Sequence, residues 1–244
     1  MKVREDAPKR FRQALVQIAR KHMPPKELRR IICEVTYDRP DPGNWSDDPN
    51  VWEEVQYLIH NRHWPKVYDI AEAFFANLRG SDKRDFPDEL NEVFRSEGIG
   101  WKISGGRIET RGEKGYEQAT SEAKTKLAET GRGTAASELA LARGALSARP
   151  HPDNTGAIQH AIASIECLAR DLTEDKLTLG ATIKKYREKL GIPKPLDEAL
   201  LKLWGYSSET GRHLVEGGEP SRCEAELVVF LSAALINYLL AKKE

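Results

Sequence analysis

Arg212 and His213 are the adjacent pair of side chains in this sequence best suited to chemistry on a phosphate. A guanidinium stays charged and binds phosphate oxygens in a forked geometry, and an imidazole changes its charge near neutral pH and can serve as acid or base. The alternative is structural: the pair caps the preceding turn or forms ion pairs with Glu209 and Glu216. Both interpretations stay open on residue type alone.

Four further side chains could support this pair. Ser208 and Glu209 precede Arg212 and either orient it or cap a helix. Glu166 lies on a largely apolar helical stretch, where a carboxylate is costly unless it finds a partner. We expect Arg212 as that partner, with a carboxylate that reaches water as the alternative. His160, one and a half turns before Glu166, either lines the same cleft or is an ordinary helical histidine.

The patterns of a metal site or a covalent nucleophile are missing from the sequence. His60 and His63 flank Arg62 but have no neighbouring Cys or carboxylate to complete a zinc set, and a helix end before Pro65 explains this segment more simply. The glycine pairs lack the strand, spacing and Lys of a phosphate loop. We therefore expect no metal and no cofactor.

The composition is that of a soluble globular protein. Lys plus Arg and Asp plus Glu both number 38, so no overall basic field indicates a nucleic-acid partner, although residues 1–30 hold ten basic and three acidic side chains. The three cysteines have no CxxC spacing, which favours a reducing compartment. The longest apolar stretch, residues 227–241, is shorter than the roughly twenty residues of a membrane span. The sequence thus predicts a cytoplasmic protein without a membrane segment.

Apolar residues at helical spacing predict most of the elements that must position these side chains. In the first half the stripes fall at residues 11–19, 28–35, 52–59 and 67–78, a short helix is expected at 88–95, and 79–85 is a charged link. Alternating apolar residues around the turn at 104–106 predict one hairpin at 99–110, which must pack on the helices through Trp101 and Ile103.

The second half is predicted to be helical throughout. Helices are expected at 113–127 and 137–148, and Asp153 and Asn154 supply a helix start. Further stripes run along 158–172 and 179–190, a helix opens at Pro195, residues 205–218 form a polar turn-rich segment, and a last apolar helix begins at Ser221. We divide the chain into a helical amino-terminal module with the hairpin (1–115), linking helices (116–148) and a carboxy-terminal bundle (149–244).

Four strings in the carboxy-terminal half resemble, in order and spacing, the HEPN domain of bacterial abortive-infection proteins of the AbiJ type. They are residues 154–166 (NTGAIQHAIASIE), 179–185 (LGATIKK), 203–209 (LWGYSSE) and 211–213 (GRH). Residues 90–93, 98–101 and 106–108 are similar to the amino-terminal module often attached to such domains. The resemblance covers residues 70–244 and is more specific in its second half.

This resemblance implies a mainly α protein with an HEPN-like bundle of four or five helices. It also implies a homodimeric, metal-independent endoribonuclease of phage defence or a toxin–antitoxin system, with RNA and a cognate antitoxin or defence protein as partners. Arg212 would bind phosphate, and His213 would move a proton. The usual signature has a His four to six positions after the Arg, where this chain has Glu216, Gly217 and Gly218. A non-catalytic HEPN-like module that binds RNA, a nucleotide or a protein is the alternative.

Overall fold

The computed structural model describes residues 3–212 and 218–242, with the side chains of 207–212 left out of the description. The described chain is mainly helical with one antiparallel hairpin, as predicted, and it divides into two compact units, residues 1–111 and 112–244.

The first unit contains five helices and one hairpin among its described residues. The helices are α1 (Lys9–Arg20), α2 (Pro25–Thr36), α3 (Trp52–His60), α4 (Trp64–Asn77) and α5 (Asp82–Ser96), with a π-type turn at Asp47–Val51 and the strands β1 (Trp101–Ser104) and β2 (Arg107–Thr110).

Aromatic side chains form the centre of the first unit. Phe11 of α1 stacks on Tyr68 of α4 with ring centroids 5.1 Å apart, and Phe94 and Trp101 complete the cluster. Trp101 also donates from its indole nitrogen to the carbonyl of Arg4 at 3.1 Å. The predicted stripes of α1 and α4 therefore meet in one core, because each presents its apolar face to the other helices.

The hairpin packs on this core as expected. β1 and β2 pair in register from Trp101 opposite Thr110 to Ser104 opposite Arg107, and Trp101 and Ile103 are buried. Gly106, with φ +82°, lies at the turn so close to α4 that a Cβ there would approach the Phe75 ring to 2.5 Å. The turn therefore requires a residue without a side chain.

The predicted start of α5 was wrong. The segment 79–85, predicted as a link, contains the first residues of α5, which begins at Asp82 and contains Pro87. The fully buried Phe86 anchors these first turns, and His22 Nδ1 lies 3.0 Å from Asp82 Oδ1. The free energy gained from these core contacts outweighs the loss of the helical hydrogen bond that Pro87 cannot donate.

The described residues of the second unit form six helices. They are α6 (Lys114–Glu129), α7 (Gly133–Leu146), α8 (Asn154–Thr173), α9 (Leu179–Tyr186), α10 (Leu196–Arg212) and α11 (Arg222–Ala241). Helices α6 and α7, expected as linking helices, contribute buried residues to the same clusters as α8 and α11. Sequence signals fix two helix starts correctly: Asp153 accepts from the amide of Gly156, and Ser221 forms a capping box with Glu224.

Helix α10 extends further than predicted. Residues 205–212, expected as the first part of a turn-rich segment, continue the helix. One glycine costs a helix only about 1 kcal/mol. The packing of Trp204 on Gly180 offsets that cost, because it fixes α10 against α9 just before Gly205.

Helix α11 is mainly apolar after its first five residues, which include Arg222, Glu224 and Glu226. By length and composition it qualifies as a membrane-spanning candidate, but half of its most apolar window is buried inside the unit, as in the core helix of a globular domain. Leu227 on the same helix is exposed. The buried half packs against α6, α7 and α8.

Candidate functional site

The predicted pair falls at the edge of the described structure. Arg212 is the last residue of α10, and His213 lies outside the described residues, as do Glu216 and Gly217. Ser208 and Glu209 belong to the same helix, but their side chains are also outside the description. The geometry of this pair and of its neighbours stays a prediction.

Glu166 is held inside the second unit by two groups. Its Oε1 lies 2.6 Å from a guanidinium nitrogen of Arg170, one turn further along α8, and its Oε2 accepts the backbone amide of Leu179 at 2.9 Å. Leu179 is the first residue of α9, so Glu166 satisfies an amide that has no partner within its own helix. The partner found for this carboxylate is Arg170, and Glu166 ties α8 to the start of α9.

His160 is oriented by a carboxylate that the sequence analysis missed. Its Nδ1 lies 2.7 Å from Oε2 of Glu138 on α7, and both side chains are partly exposed. A carboxylate on one ring nitrogen fixes the ring and its tautomer and leaves the other nitrogen to exchange a proton. In the described part of the chain, no protein group bonds to Nε2 of His160. The contact gives His160 a fixed orientation, and its role as a general acid or base stays a prediction.

A small cavity lies between the start of α7 and the middle of α8. It measures about 330 Å³ and is lined by residues 131–135 together with Cys167, Arg170 and Asp171. Arg132 enters it with Nε 2.7 Å from Oδ2 of Asp171. We use the name α7–α8 polar strip for His160, Glu138 and the polar side chains that line this cavity, which are Arg132, Thr134, Cys167, Arg170 and Asp171. Two guanidiniums and an oriented imidazole therefore lie along one pair of helices, with each guanidinium paired to a carboxylate.

The surroundings of Cys167 disfavour its thiolate. Burial raises the pKa of its thiol, and the charges of Glu138 and Glu166 raise it further against the opposing effect of Arg170. The thiolate is the reactive form of cysteine, so a raised pKa makes this thiol a weaker nucleophile. His160 is therefore the better candidate for proton transfer in the strip.

Metal chemistry has no cluster of ligands in the described ranges. No group of three His, Cys, Asp or Glu side chains lies close enough together there to hold an ion. Arg62, between the two histidines of the amino-terminal unit, is paired with Asp38 at 2.6 Å.

The first three of the four strings that carry the resemblance of the second unit pack against one another. Glu166, at the end of the first string, bonds to Leu179 at the start of the second. Gly180 in the second string abuts Trp204 in the third so closely that a Cβ on Gly180 would lie 2.9 Å from the indole ring. Helices α8, α9 and α10 thus form one assembly.

Comparison with known proteins decides the family. Residues 1–126 match the family model described as AbiJ N-terminal domain 4. The chain belongs to the AbiJ-type abortive-infection family. The match includes residues 1–69, which the sequence resemblance had not covered, and it spans the first unit and most of α6. No curated protein and no solved structure matches this AbiJ-type chain.

Sequence reasoning had no means of finding Glu138. It lies 22 positions before His160, on another helix, in a segment interpreted as a linker. The only local signal was His160 itself, on the polar edge of a helix that packs against its neighbours. The same holds for Arg132, whose partner Asp171 is 39 positions away.

Proposed function

We propose that this AbiJ-type protein is a phage-defence effector whose second unit is an HEPN-like bundle that cleaves RNA without a metal ion. The observation that supports this most is the pairing of His160 with Glu138, which gives the unit an imidazole prepared for proton transfer. The packing of α8, α9 and α10 supports it further, because these helices contain the strings that resemble an HEPN domain.

The proposed chemistry divides three tasks among few groups. Cleavage without metal requires a base that takes the 2′-hydroxyl proton, an acid that protonates the leaving 5′-oxygen, and a fixed cation beside the phosphate. Arg212 supplies the cation and His213 one of the proton transfers. His160 supplies the second proton transfer, or a second copy of the chain brings its own Arg-His pair in a homodimer.

The test is cleavage of total RNA in EDTA by the native chain and by the variant Arg212→Ala plus His213→Ala. We expect the native chain to cleave and the double variant to lose activity by a factor of about 100 or more. The control is Lys184→Ala, which removes an exposed positive charge on α9 and should keep full activity. Equal activity of native chain and double variant, or no activity in either, removes the enzyme proposal.

A non-catalytic module is the second candidate, and specific contacts favour it. Glu166 and Arg170 satisfy one another, Arg132 is neutralised by Asp171, and residues 216–218 contain no His. Such a module would bind RNA, a nucleotide or a cognate defence protein as a regulator. RNA that is bound by the native chain but recovered intact after incubation would select this candidate.

A homodimer in the cytoplasm is the proposed working form. Leu141 on α7 and Leu227 on α11 are large apolar side chains exposed at about half of their surface, as a subunit interface requires. The three cysteines are free, as expected in a reducing compartment. Sedimentation at micromolar concentration should show a dimer, and a strict monomer would contradict the composite site.

A further inference from the structure

A groove between α1 and α3 of the first unit has the size and chemistry of a ligand site. It encloses about 510 Å³, within the range of small-molecule sites, and its floor includes the buried side chains of Val16 and Ile59. It belongs entirely to the unit that matches the AbiJ N-terminal domain and has no part in the α7–α8 polar strip. Its ligand is therefore a separate question from RNA cleavage.

Arg12 holds the groove in shape. Its Nη1 donates to the carbonyls of Ile59 and Arg62 at 2.8 and 2.6 Å, and its Nε donates to the carbonyl of Ala7 at 2.6 Å. Ile59 belongs to the last turn of α3 and Arg62 follows that helix, so the guanidinium lies at the negative end of the helix dipole. One side chain of α1 thus ties down the end of α3 and offsets part of the negative potential there.

The wall formed by α1 is a row of polar side chains without a hydrogen-bond partner in the described part of the chain. Lys9, Gln13 and Gln17 recur at four-residue spacing and so share one stripe of the helix. All three are exposed, and within the described ranges none has a hydrogen-bond or ion-pair partner. An ammonium and two amides are therefore free to bind a ligand.

The wall formed by α3 adds an aromatic ring. Tyr57 is exposed over 68% of its surface although it borders a groove, and Gln56 and His60 flank it. Large aromatic side chains are normally buried, so this exposure leaves an uncovered ring face beside polar groups. The face is available for stacking with a flat ligand.

The charge at the α1 end of the groove favours an anion. Lys9 lines the groove with no carboxylate among the described lining residues, and Asp6 lies outside that lining, near Arg12. Lys9 is also the first residue of α1, so its ammonium and the positive end of the helix dipole lie at the same end of the groove. A phosphate is favoured at that end.

We propose that this groove binds a nucleotide, with its phosphate at Lys9, its base stacked on Tyr57 and the edge of the base read by the amides of Gln13 and Gln17. Amides both donate and accept, which suits base edges, and aromatic stacking accepts any base. The nucleotide is either a free mononucleotide or one residue of a single-stranded RNA. Binding would give the amino-terminal unit a recognition role.

Another surface of the same unit provides a matched comparison. Tyr37 is exposed over 93% of its surface beside a cavity lined by four basic side chains, but Glu34 and Asp38 share that cavity, and Arg29 and Arg30 are already paired with carboxylates. Its mixed charge and the lack of free amides make it a poorer site for a phosphate. The variant Tyr37→Ala therefore removes an exposed tyrosine without touching the groove.

The experiment measures binding by the full chain in EDTA with two probes. One is fluorescently labelled ATP, and the other is a short labelled single-stranded 2′-O-methyl RNA, which lacks the hydroxyl that cleavage needs. Because neither probe can be cut by the proposed chemistry, failure of the nuclease proposal does not affect this result. Binding of both probes indicates a mononucleotide site, and binding of the oligonucleotide alone indicates a strand.

We expect Tyr57→Ala to weaken binding about tenfold and Lys9→Glu to weaken it and reduce its salt dependence. Tyr37→Ala should bind like the native chain, and all variants should keep the native melting temperature because these side chains are exposed. Native affinity in both groove variants, an equal loss in Tyr37→Ala, or no binding of either probe by the native chain would overturn the proposal.

Discussion

Nδ1 of His160 lies 2.7 Å from Oε2 of Glu138, and this contact joins α8 to α7 across a partly exposed surface. Nδ1 of His160 is the ring nitrogen that contacts Glu138, so Nε2 is the nitrogen that could exchange a proton with a ligand. It also places a functional candidate in a helix that the sequence pattern assigned to a linker.

Replacing Glu138 tests whether this orientation matters for the proposed RNA cleavage. Glu138→Gln keeps the size of the side chain but removes the carboxylate that orients the ring. We expect cleavage to fall by a factor of about 100 with the fold intact. The assay is RNA cleavage in EDTA, beside the exposed control Glu122→Gln, with the melting temperature as a check on the fold. An unchanged rate would reduce the pair to a structural contact.

The surroundings of Glu54 predict that the first unit becomes less stable in acid. Burial alone raises the pKa of this carboxyl, but hydrogen bonds from the Asp41 amide, Arg29 and Asn44, with the charge of Arg29, outweigh burial and lower the pKa overall. Since the folded pKa lies below the ordinary value of 4.5, the stabilisation is complete above that value and is lost as the pH falls through the folded pKa.

The variant Glu54→Gln should therefore unfold more easily than the native chain at pH 7, by roughly 2 kcal/mol, and the difference should shrink as the pH falls below the ordinary pKa of 4.5. Urea titrations at several pH values measure it. Glu34→Gln is the control, because the pair of Glu34 with Arg30 is exposed and contributes little. A constant difference between pH 7 and pH 3 would contradict the assigned role.

The two glycines of the hairpin turn differ in a way that two variants can measure. Both have positive φ, but a Cβ on Gly105 meets nothing within 4 Å, whereas one on Gly106 would overlap Phe75. Gly105→Ala should cost about 1 kcal/mol from backbone strain alone, and Gly106→Ala about 2–4 kcal/mol because overpacking is added. Thermal unfolding compares them, and equal losses would show that the turn does not press on α4.

Gly180 makes a corresponding prediction for the second unit. Gly180→Ala places a methyl group against the ring of Trp204 and should destabilise the unit by about 1–3 kcal/mol with a change in tryptophan fluorescence. Gly205→Ala, one position after Trp204, meets nothing within 4 Å and should stabilise α10 by up to about 1 kcal/mol. A neutral Gly180→Ala would contradict the close packing of α9 on α10.

Helices with clear apolar stripes were predictable because burying the apolar side chains on one face is enough to stabilise the helix. The stripe at Phe11 and Leu15 fixes α1, and that at Ile70 and Phe74 fixes α4, since only a helix brings such residues to one face. The start of α5 and the end of α10 were missed because Pro87 and Gly205 are local breakers. Their effect is overridden by packing that a sequence does not display.

The candidate site was predictable only in part, for a related reason. Side chains that act together, such as His160 with Glu138, come from different helices, and their meeting depends on how those helices pack. Glu166 shows the limit most clearly. A carboxylate on an apolar helix is expected either to find a partner or to reach water, and the folded unit gives it Arg170 and the amide of Leu179. Whether Arg212 also contacts Glu166 stays a prediction, because its side chain lies outside the description.

Among the described residues, the core cluster of residues 1–111 and the core clusters of residues 112–244 have no residue in common. Each unit therefore buries apolar side chains of its own and has its own hydrophobic driving force. A substitution on the surface of one unit, outside these clusters, can then change what that unit binds without removing a side chain from the core of the other.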